Sequence, residues 1–166
     1  GFCGRYRLLE IIARGGVGVV YRGHDDRLRR DVAIKILDGK HTEHGFMIQR
    51  FLEEAQIGSQ LQHPGTVPVY ESGVDTDGRP YIAMKLVRGR TLAALLKERT
   101  APDSERARFL GIFESACQTV AYSHDRGVIH RDIKPSNIMV GSFGEVQVVD
   151  WGFAKVLGED EPRLPP

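Results

Sequence analysis

The chain has 166 residues, 41% of them hydrophobic, with 23 basic and 22 acidic side chains and a formal net charge of +1. That is enough for one ordinary domain or two small lobes with packed cores, and so even a charge balance gives no argument for nucleic acid or an anionic membrane surface as the main partner. Two cysteines far apart, Cys3 and Cys117, exclude a disulfide framework or a thiolate zinc site, and no apolar run reaches transmembrane length, so a cytoplasmic setting is expected, with any membrane tether lying elsewhere in a longer protein.

Residues 6–12 read as a strand, followed by a glycine cluster and a second strand at Val19-Val20-Tyr21, a hairpin pattern. Val32–Leu37 is a third strand. A helix is predicted over 47–61, where Phe51, Ala55, Gly58 and Leu61 recur at helical spacing. Val67–Tyr70 and Arg79–Met84 are two further strands around the turn Asp75–Gly78. The first part is thus a small antiparallel sheet with one helix. Val87–Arg90 is the linker candidate. Beyond it come a short helix at 91–98 and a longer one over about 103–125. Its apolar stripe, Phe109, Ile112, Phe113, Ala116, Cys117, Val120 and Ala121, places Cys117 in the core. Short strands near 138–140 and 145–149 follow, then an acidic, Pro-rich tail read as disordered.

Four stretches carry chemistry. Ala13-Arg14-Gly15-Gly16-Val17-Gly18 is a glycine-rich hairpin turn whose backbone N–H groups can approach phosphate oxygens; a plain turn reads the same way. A β-branched strand follows it, which argues against a dinucleotide fold, where a helix would follow. Lys35 ends the apolar Val32-Ala33-Ile34 run. It is either a snorkelling surface residue or a phosphate-binding cation that needs a carboxylate to hold it, with Glu54 the candidate and Glu53 the alternative. His130-Arg131-Asp132-Ile133-Lys134-Pro135-Ser136-Asn137 offers a carboxylate for an attacking hydroxyl at Asp132. Lys134 would neutralise phosphoryl charge, and Asn137, five residues after Asp132, is a hard oxygen ligand for Mg²⁺. Asp150-Trp151-Gly152 puts a carboxylate at the end of an apolar strand, which suits a second Mg²⁺ ligand, although any strand can end in Asp.

In this order and spacing the four motifs resemble the protein kinase superfamily, most closely the bacterial eukaryotic-like Ser/Thr kinases, from about Tyr6 to Leu157. The resemblance implies an α+β, protein kinase-like fold. An antiparallel-sheet lobe with one helix (1–87) is joined to the first, mainly helical part of a second lobe (88–157), with ATP between them and 158–166 opening an activation segment. It implies ATP with Mg²⁺, or Mn²⁺ in its place, and a Ser/Thr-bearing protein substrate. It also implies a Lys35–Glu54 ion pair, Asp132 as catalytic base with Lys134 beside it, and Asn137 and Asp150 as metal ligands. The glycine loop at Ala13, Gly15, Gly16 and Gly18 would cover the phosphates. Val20, Ala33 and Met139 would sandwich the adenine, with Met84 behind it and the backbone of Lys85 and Val87 pairing with it.

Three departures stand out. Ala13 replaces a loop glycine. Trp151 replaces the usual Phe, and the indole is expected to fill volume left open by Gly58. No Ser, Thr or Tyr lies between Asp150 and Pro166, so no activation phosphosite is visible and Arg131 lacks its usual phosphate partner, Glu159, Asp160 and Glu161 being the candidates in its place. The missing initiator Met and the stop before an Ala-Pro-Glu-like motif lead to the expectation of a segment of a longer protein, with the helix over 103–125 short of packing neighbours. The alternatives from other classes are a non-catalytic ATP-binding regulatory module or inactive fragment, and a small-molecule phosphotransferase, against which Lys134-Pro135 and the Val-Ala-Ile-Lys strand speak.

Overall fold

A computed structural model describes residues 1–15, 17–39 and 45–158. Its contacts divide the chain into two compact units. One holds Gly1–Ser59 with Pro68–Leu86; the other holds Gln60–Val67 and the chain from Val87 onward.

The first unit is an antiparallel sheet of six strands: β1 (Phe2–Cys3), β2 (Tyr6–Arg14), β3 (Gly18–Asp25), β4 (Arg30–Leu37), β5 (Val69–Val74) and β6 (Pro80–Lys85), in the order β1-β2-β3-β4-β6-β5. The central strand β4 explains its two cores. Successive side chains alternate faces. Val32, Ile34 and Ile36 therefore pack on one side with Cys3, Tyr6, Tyr81 and Ala83. Leu37 packs on the other with Ile82, Phe51 and Ala55, the last two from helix α1 (Gly45–Gln60). Burial pushes the Cys3 thiol up to about 12, so it behaves as a small core residue rather than a nucleophile. Glu71 ties the sheet's two ends together, accepting hydrogen bonds from Tyr81 Oη (2.7 Å) and Tyr6 Oη (3.1 Å).

The second unit contains two helices and several short strands. Helix α2 (Leu92–Lys97) is capped by Thr91, whose hydroxyl accepts from the Ala94 N–H at 3.1 Å. Helix α3 (Arg106–Asp125) packs on β8 (Val128–Ile129) and β10 (Val146–Val148). β10 lies beside β9 (Ile138–Val140) and β7 (Arg90–Thr91), and β8 pairs with β11 (Lys155–Val156).

The buried line of α3 is Ile112, Ala116, Thr119 and Ser123. This corrects the sequence-based stripe: Cys117 is exposed, as are Phe113 (62%) and Leu110 (59%). The two hydroxyl residues take core positions because each satisfies itself within the helix. Thr119 Oγ1 donates to the Ser115 carbonyl at 3.0 Å and Ser123 Oγ to the Val120 carbonyl at 2.8 Å. No described helix is long and apolar enough to cross a membrane.

Candidate functional site

In the first unit, strand register decides which side chains share a face. Directly opposed residues in an antiparallel ladder point the same way. Ala13 opposes Val20, Val20 opposes Lys35, Lys35 opposes Ile82, and Ala33 opposes Met84. Ala13, Val20, Ala33, Lys35 and Met84 therefore line the sheet face that receives α1. At one end of that face the Gly15 N–H donates to the Gly18 carbonyl at 2.9 Å, closing the glycine-rich turn. Gly16 lies outside the described residues. A Cβ on Gly18 would overlap the Ile36 carbonyl oxygen, so glycine is required there for the β3–β4 approach. Lys85 is exposed, with its N–H held by the Pro68 carbonyl at 2.9 Å.

Lys35 is not a snorkelling residue. Its Nζ donates to both carboxylate oxygens of Glu54, at 2.6 and 2.7 Å, and the two side chains are only 15% and 14% exposed. Glu53, the other candidate, is half-buried and instead accepts a solvent-exposed hydrogen bond from Gln49 Nε2 at 3.3 Å. A Lys held by both oxygens of one carboxylate keeps its ammonium in a fixed place.

In the second unit the catalytic-loop residues are organised around His130, which is almost fully buried (1% exposed). Its Nε2 lies 2.9 Å from the Val149 carbonyl, which can only accept, and its Nδ1 lies 3.2 Å from the Asp132 N–H, which can only donate. The ring is therefore the neutral Nε2–H tautomer. Burial holds its pKa below the ordinary value, in keeping with that state. Arg131 adopts a left-handed backbone (φ 67°), and its Nε donates to the Phe153 carbonyl at 2.7 Å. Its three acidic candidate partners lie outside the described residues.

The Asp132 carboxylate accepts from Lys134 Nζ at 2.7 Å and from Asn137 Nδ2 at 3.0 Å. The Lys134 hydrogen bond lowers its pKa most, so the group stays ionised well below neutrality. Asn137 Nδ2 also donates to the Asp132 carbonyl at 2.9 Å. With the amide nitrogen spent twice on Asp132, the Asn137 side chain has its oxygen to offer a cation.

Asp150 is brought to this loop by the residue before it. Val149 donates its N–H to the Asn137 carbonyl at 2.9 Å and accepts from His130. Asp150 itself is exposed and left-handed (φ 62°), a conformation costly for a non-glycine residue and typical of functional positions. Both Asp132 and Asp150 are close enough to favour a charged His130 ring, against the larger effect of burial. An exposed carboxylate and a free amide oxygen fit Mg²⁺, which keeps water and phosphate ligands and needs no protein cage. Among the described residues no cluster of three or more His, Cys, Asp or Glu side chains competes for it. Met139, in β9, is half-buried opposite Gln147, and Val87, also half-buried, opens the second unit's main segment.

Gly58 belongs to the first unit and Trp151 to the second, and each has neighbours within its own unit. A Cβ on Gly58 would stand 2.7 Å from Val69 Cγ2, so Val69 occupies that space within its own unit. Trp151 is buried against the His130 ring (centroids 4.6 Å apart) and donates from Nε1 to the Val148 carbonyl at 3.2 Å. Sequence reasoning also passed over His130 as an organiser. A histidine directly after the apolar Val128-Ile129 was the available signal, since it places a polar ring where the chain is entering a core.

Comparison with known proteins agrees with this geometry. The model of the protein kinase domain family matches residues 6–164. The chain is 40% identical over 169 residues to a serine/threonine-protein kinase, PknD, of Chlamydia pneumoniae, an alignment covering 96% of this chain and 18% of that protein. It is 42% identical over 174 residues to the PknD of Chlamydia trachomatis serovar D, with the same coverage, and 37% identical over 164 residues to that of Protochlamydia amoebophila, covering 93% of this chain and 17% of the relative. The chain thus spans under a fifth of the length of these curated relatives. With a family match over nearly its whole length, and the bonded Lys–Glu pair and His-Arg-Asp loop in place, this chain belongs to the protein kinase domain family.

Proposed function

We propose that the chain carries the nucleotide-binding and catalytic-loop machinery of an ATP-dependent protein serine/threonine kinase. The observation that carries this reading is the Asp132 carboxylate, held ionised by Lys134 and aimed by Asn137. The reaction is in-line displacement: a Ser or Thr hydroxyl oxygen forms a bond to the γ-phosphorus of ATP while the bond from that phosphorus to the β–γ bridging oxygen breaks and ADP leaves. Asp132 accepts the hydroxyl proton. Because its pKa lies low, it is a weak base, and its main task is to orient the hydroxyl until the new bond is well advanced. Lys134 supplies positive charge beside the transferring group, and Lys35, fixed by Glu54, does so at the α- and β-phosphates. Asn137 and Asp150 hold Mg²⁺, whose chemistry is to neutralise phosphate charge. Ala13, Gly15, Gly16 and Gly18 cover the phosphates, and Val20, Ala33, Met84, Lys85, Val87 and Met139 receive the adenine. The relatives named serine/threonine-protein kinases, together with Lys134, support Ser and Thr as acceptors.

The test is transfer of γ-labelled phosphate from ATP to casein or to the chain itself, followed by phosphoamino-acid analysis. Label on Ser or Thr that disappears in Asp132→Asn supports the proposal. Mg²⁺–ATP binding without transfer under any condition would favour a non-catalytic nucleotide-binding module instead.

A further inference from the structure

Strand β10 ends two residues before Asp150, and its two edges are held very differently. One edge pairs with β9 in an ordinary antiparallel ladder. The other is held by the turn His63-Pro64-Gly65-Thr66, from a segment that belongs to the same unit although it precedes β5 in sequence. Thr66 bridges Val148 in parallel, the Val148 N–H donates to the Gly65 carbonyl at 2.8 Å, and Gln147 Nε2 donates to the Thr66 carbonyl at 3.2 Å. Gln147, Thr66 and Gly65 are all buried.

The turn can reach β10 because of one missing side chain. A Cβ on Gly65 would overlap the Thr119 hydroxyl and stand 2.9 Å from Thr119 Cβ and 3.0 Å from its Cγ2, and Thr119 is fixed on α3 at 1% exposure. The backbone at Gly65 is not left-handed, so conformation does not demand glycine here. Space does. The turn is otherwise well satisfied: His63 Nδ1 accepts from the Gly65 N–H at 3.0 Å, Thr66 Oγ1 donates to the Leu61 carbonyl at 3.0 Å, and the Gln62 N–H reaches Tyr122 Oη at 3.0 Å.

From this we infer that Gly65 and Thr119 form a size-matched pair that presses the 63–66 turn onto β10 and so positions Asp150 as a metal ligand. The inference rests on the proposed role of Asp150. Gly65 acts through three steps: its carbonyl fixes Val148, Val148 sets the peptide of Val149 between Asn137 and His130, and Asp150 leaves that peptide in its left-handed conformation. An added methyl lifts the turn, frees the outer edge of β10 and lets Asp150 drift from the Asn137 side. Groups that orient metal ligands from outside the coordination sphere typically alter metal affinity by about 10–100-fold when changed.

The experiment uses the chain with Gly65→Ala, Thr119→Gly, and both together, and two readouts. The first is hydrogen exchange of the Val148 amide, which needs no ligand. The second is the Mn²⁺ concentration that half-saturates the ATP-loaded chain, followed by the paramagnetic resonance of free Mn²⁺. Gly65→Ala should speed exchange at Val148 and raise the Mn²⁺ requirement by about tenfold. Thr119→Gly alone, which costs helix stability but opens the space, should leave the Mn²⁺ requirement near that of the parent, and the double variant should return both readouts toward it. Unchanged exchange in Gly65→Ala, or a double variant no better than the single, overturns the inference. If the parent shows no Asp150-dependent Mn²⁺ binding, the functional reading of Asp150 fails, while the exchange readout still decides whether the pair holds β10.

Discussion

The two units hold their candidate residues by different physical means. In the first, placement follows from sheet register: once β3, β4 and β6 pair, Val20, Ala33, Lys35 and Met84 must share a face, and one side chain–side chain contact, Lys35 to Glu54, completes the arrangement. In the second, Asp132, Lys134 and Asp150 stand on loops, and main-chain groups organise their surroundings: His130 bonds the peptides of Val149 and Asp132, Asn137 bonds Asp132 twice, and Arg131 and Asp150 carry left-handed backbones. The lesson is that the first design is robust to most surface changes and sensitive to one ion pair. The second spreads its dependence over a network in which a buried ring does the organising.

The largest effect should come at the proposed proton acceptor of the second unit. Asp132→Asn removes the proton acceptor and is expected to lower kcat by about 10²–10⁴-fold, the usual contribution of a positioned acid or base. The melting temperature should stay close to the parent's, which a thermal melt would check. Lys35→Met tests the first unit. It leaves the Glu54 carboxylate, 14% exposed, without its cation, so stability should fall by about 1–3 kcal/mol and nucleotide affinity with it. A fully stable Lys35→Met chain would break the claim that this unit hangs on one pair.

His130 sharpens the comparison through pH. Burial lowers its folded-state pKa below the ordinary 6.5, so between those two values the unfolded chain binds the proton and the folded chain does not. Its contribution to stability is complete above about 6.5 and is lost as pH falls through the folded-state pKa. Denaturant melts from pH 7.5 to 5 should show stability declining in acid, and His130→Phe should flatten that part of the curve while weakening the catalytic loop. An effect on stability alone is expected at Gly58, where Leu would collide with Val69 and lower stability by about 1–3 kcal/mol, checked by a denaturant melt. The smallest belongs to Cys117→Ser: an exposed helix position should change stability by no more than about 0.5 kcal/mol, and a large loss would restore the core placement that the apolar stripe suggested.

That stripe shows where the sequence was legible and where it was not. Strands such as Val32–Leu37 and the helix bearing Phe51 and Ala55 have enough residues for their period to show, and the structure places them within two or three residues of the reading. Two-residue strands such as Phe2–Cys3, Val128–Ile129 and Lys155–Val156 carry no period at all; the first exists through a tight turn onto Tyr6–Arg7, and the other two exist because they pair with each other across a long stretch of sequence. On α3 hydrophobicity misled, because Thr119 and Ser123 satisfy their own hydroxyls and go inside while Phe113 and Cys117 stay out. The proposed site residues could be picked out because the chemistry proposed for them demands residue type and spacing together. Their supports were not: nothing in the sequence links Gly65 to Thr119, or His130 to the peptide of Val149, until the chain is folded.

The most direct test is a thermal melt of the chain with and without Mg²⁺–ATP, repeated for Lys35→Met and Asp150→Asn, one variant in each unit. At about a hundred times its dissociation constant the nucleotide should stabilise the folded parent by about 2.7 kcal/mol. The proposed function requires that gain in the parent and its reduction in both variants, since Lys35 and Asp150 are each proposed to bind Mg²⁺–ATP. A melt indifferent to nucleotide, or a gain that survives both substitutions, would contradict it.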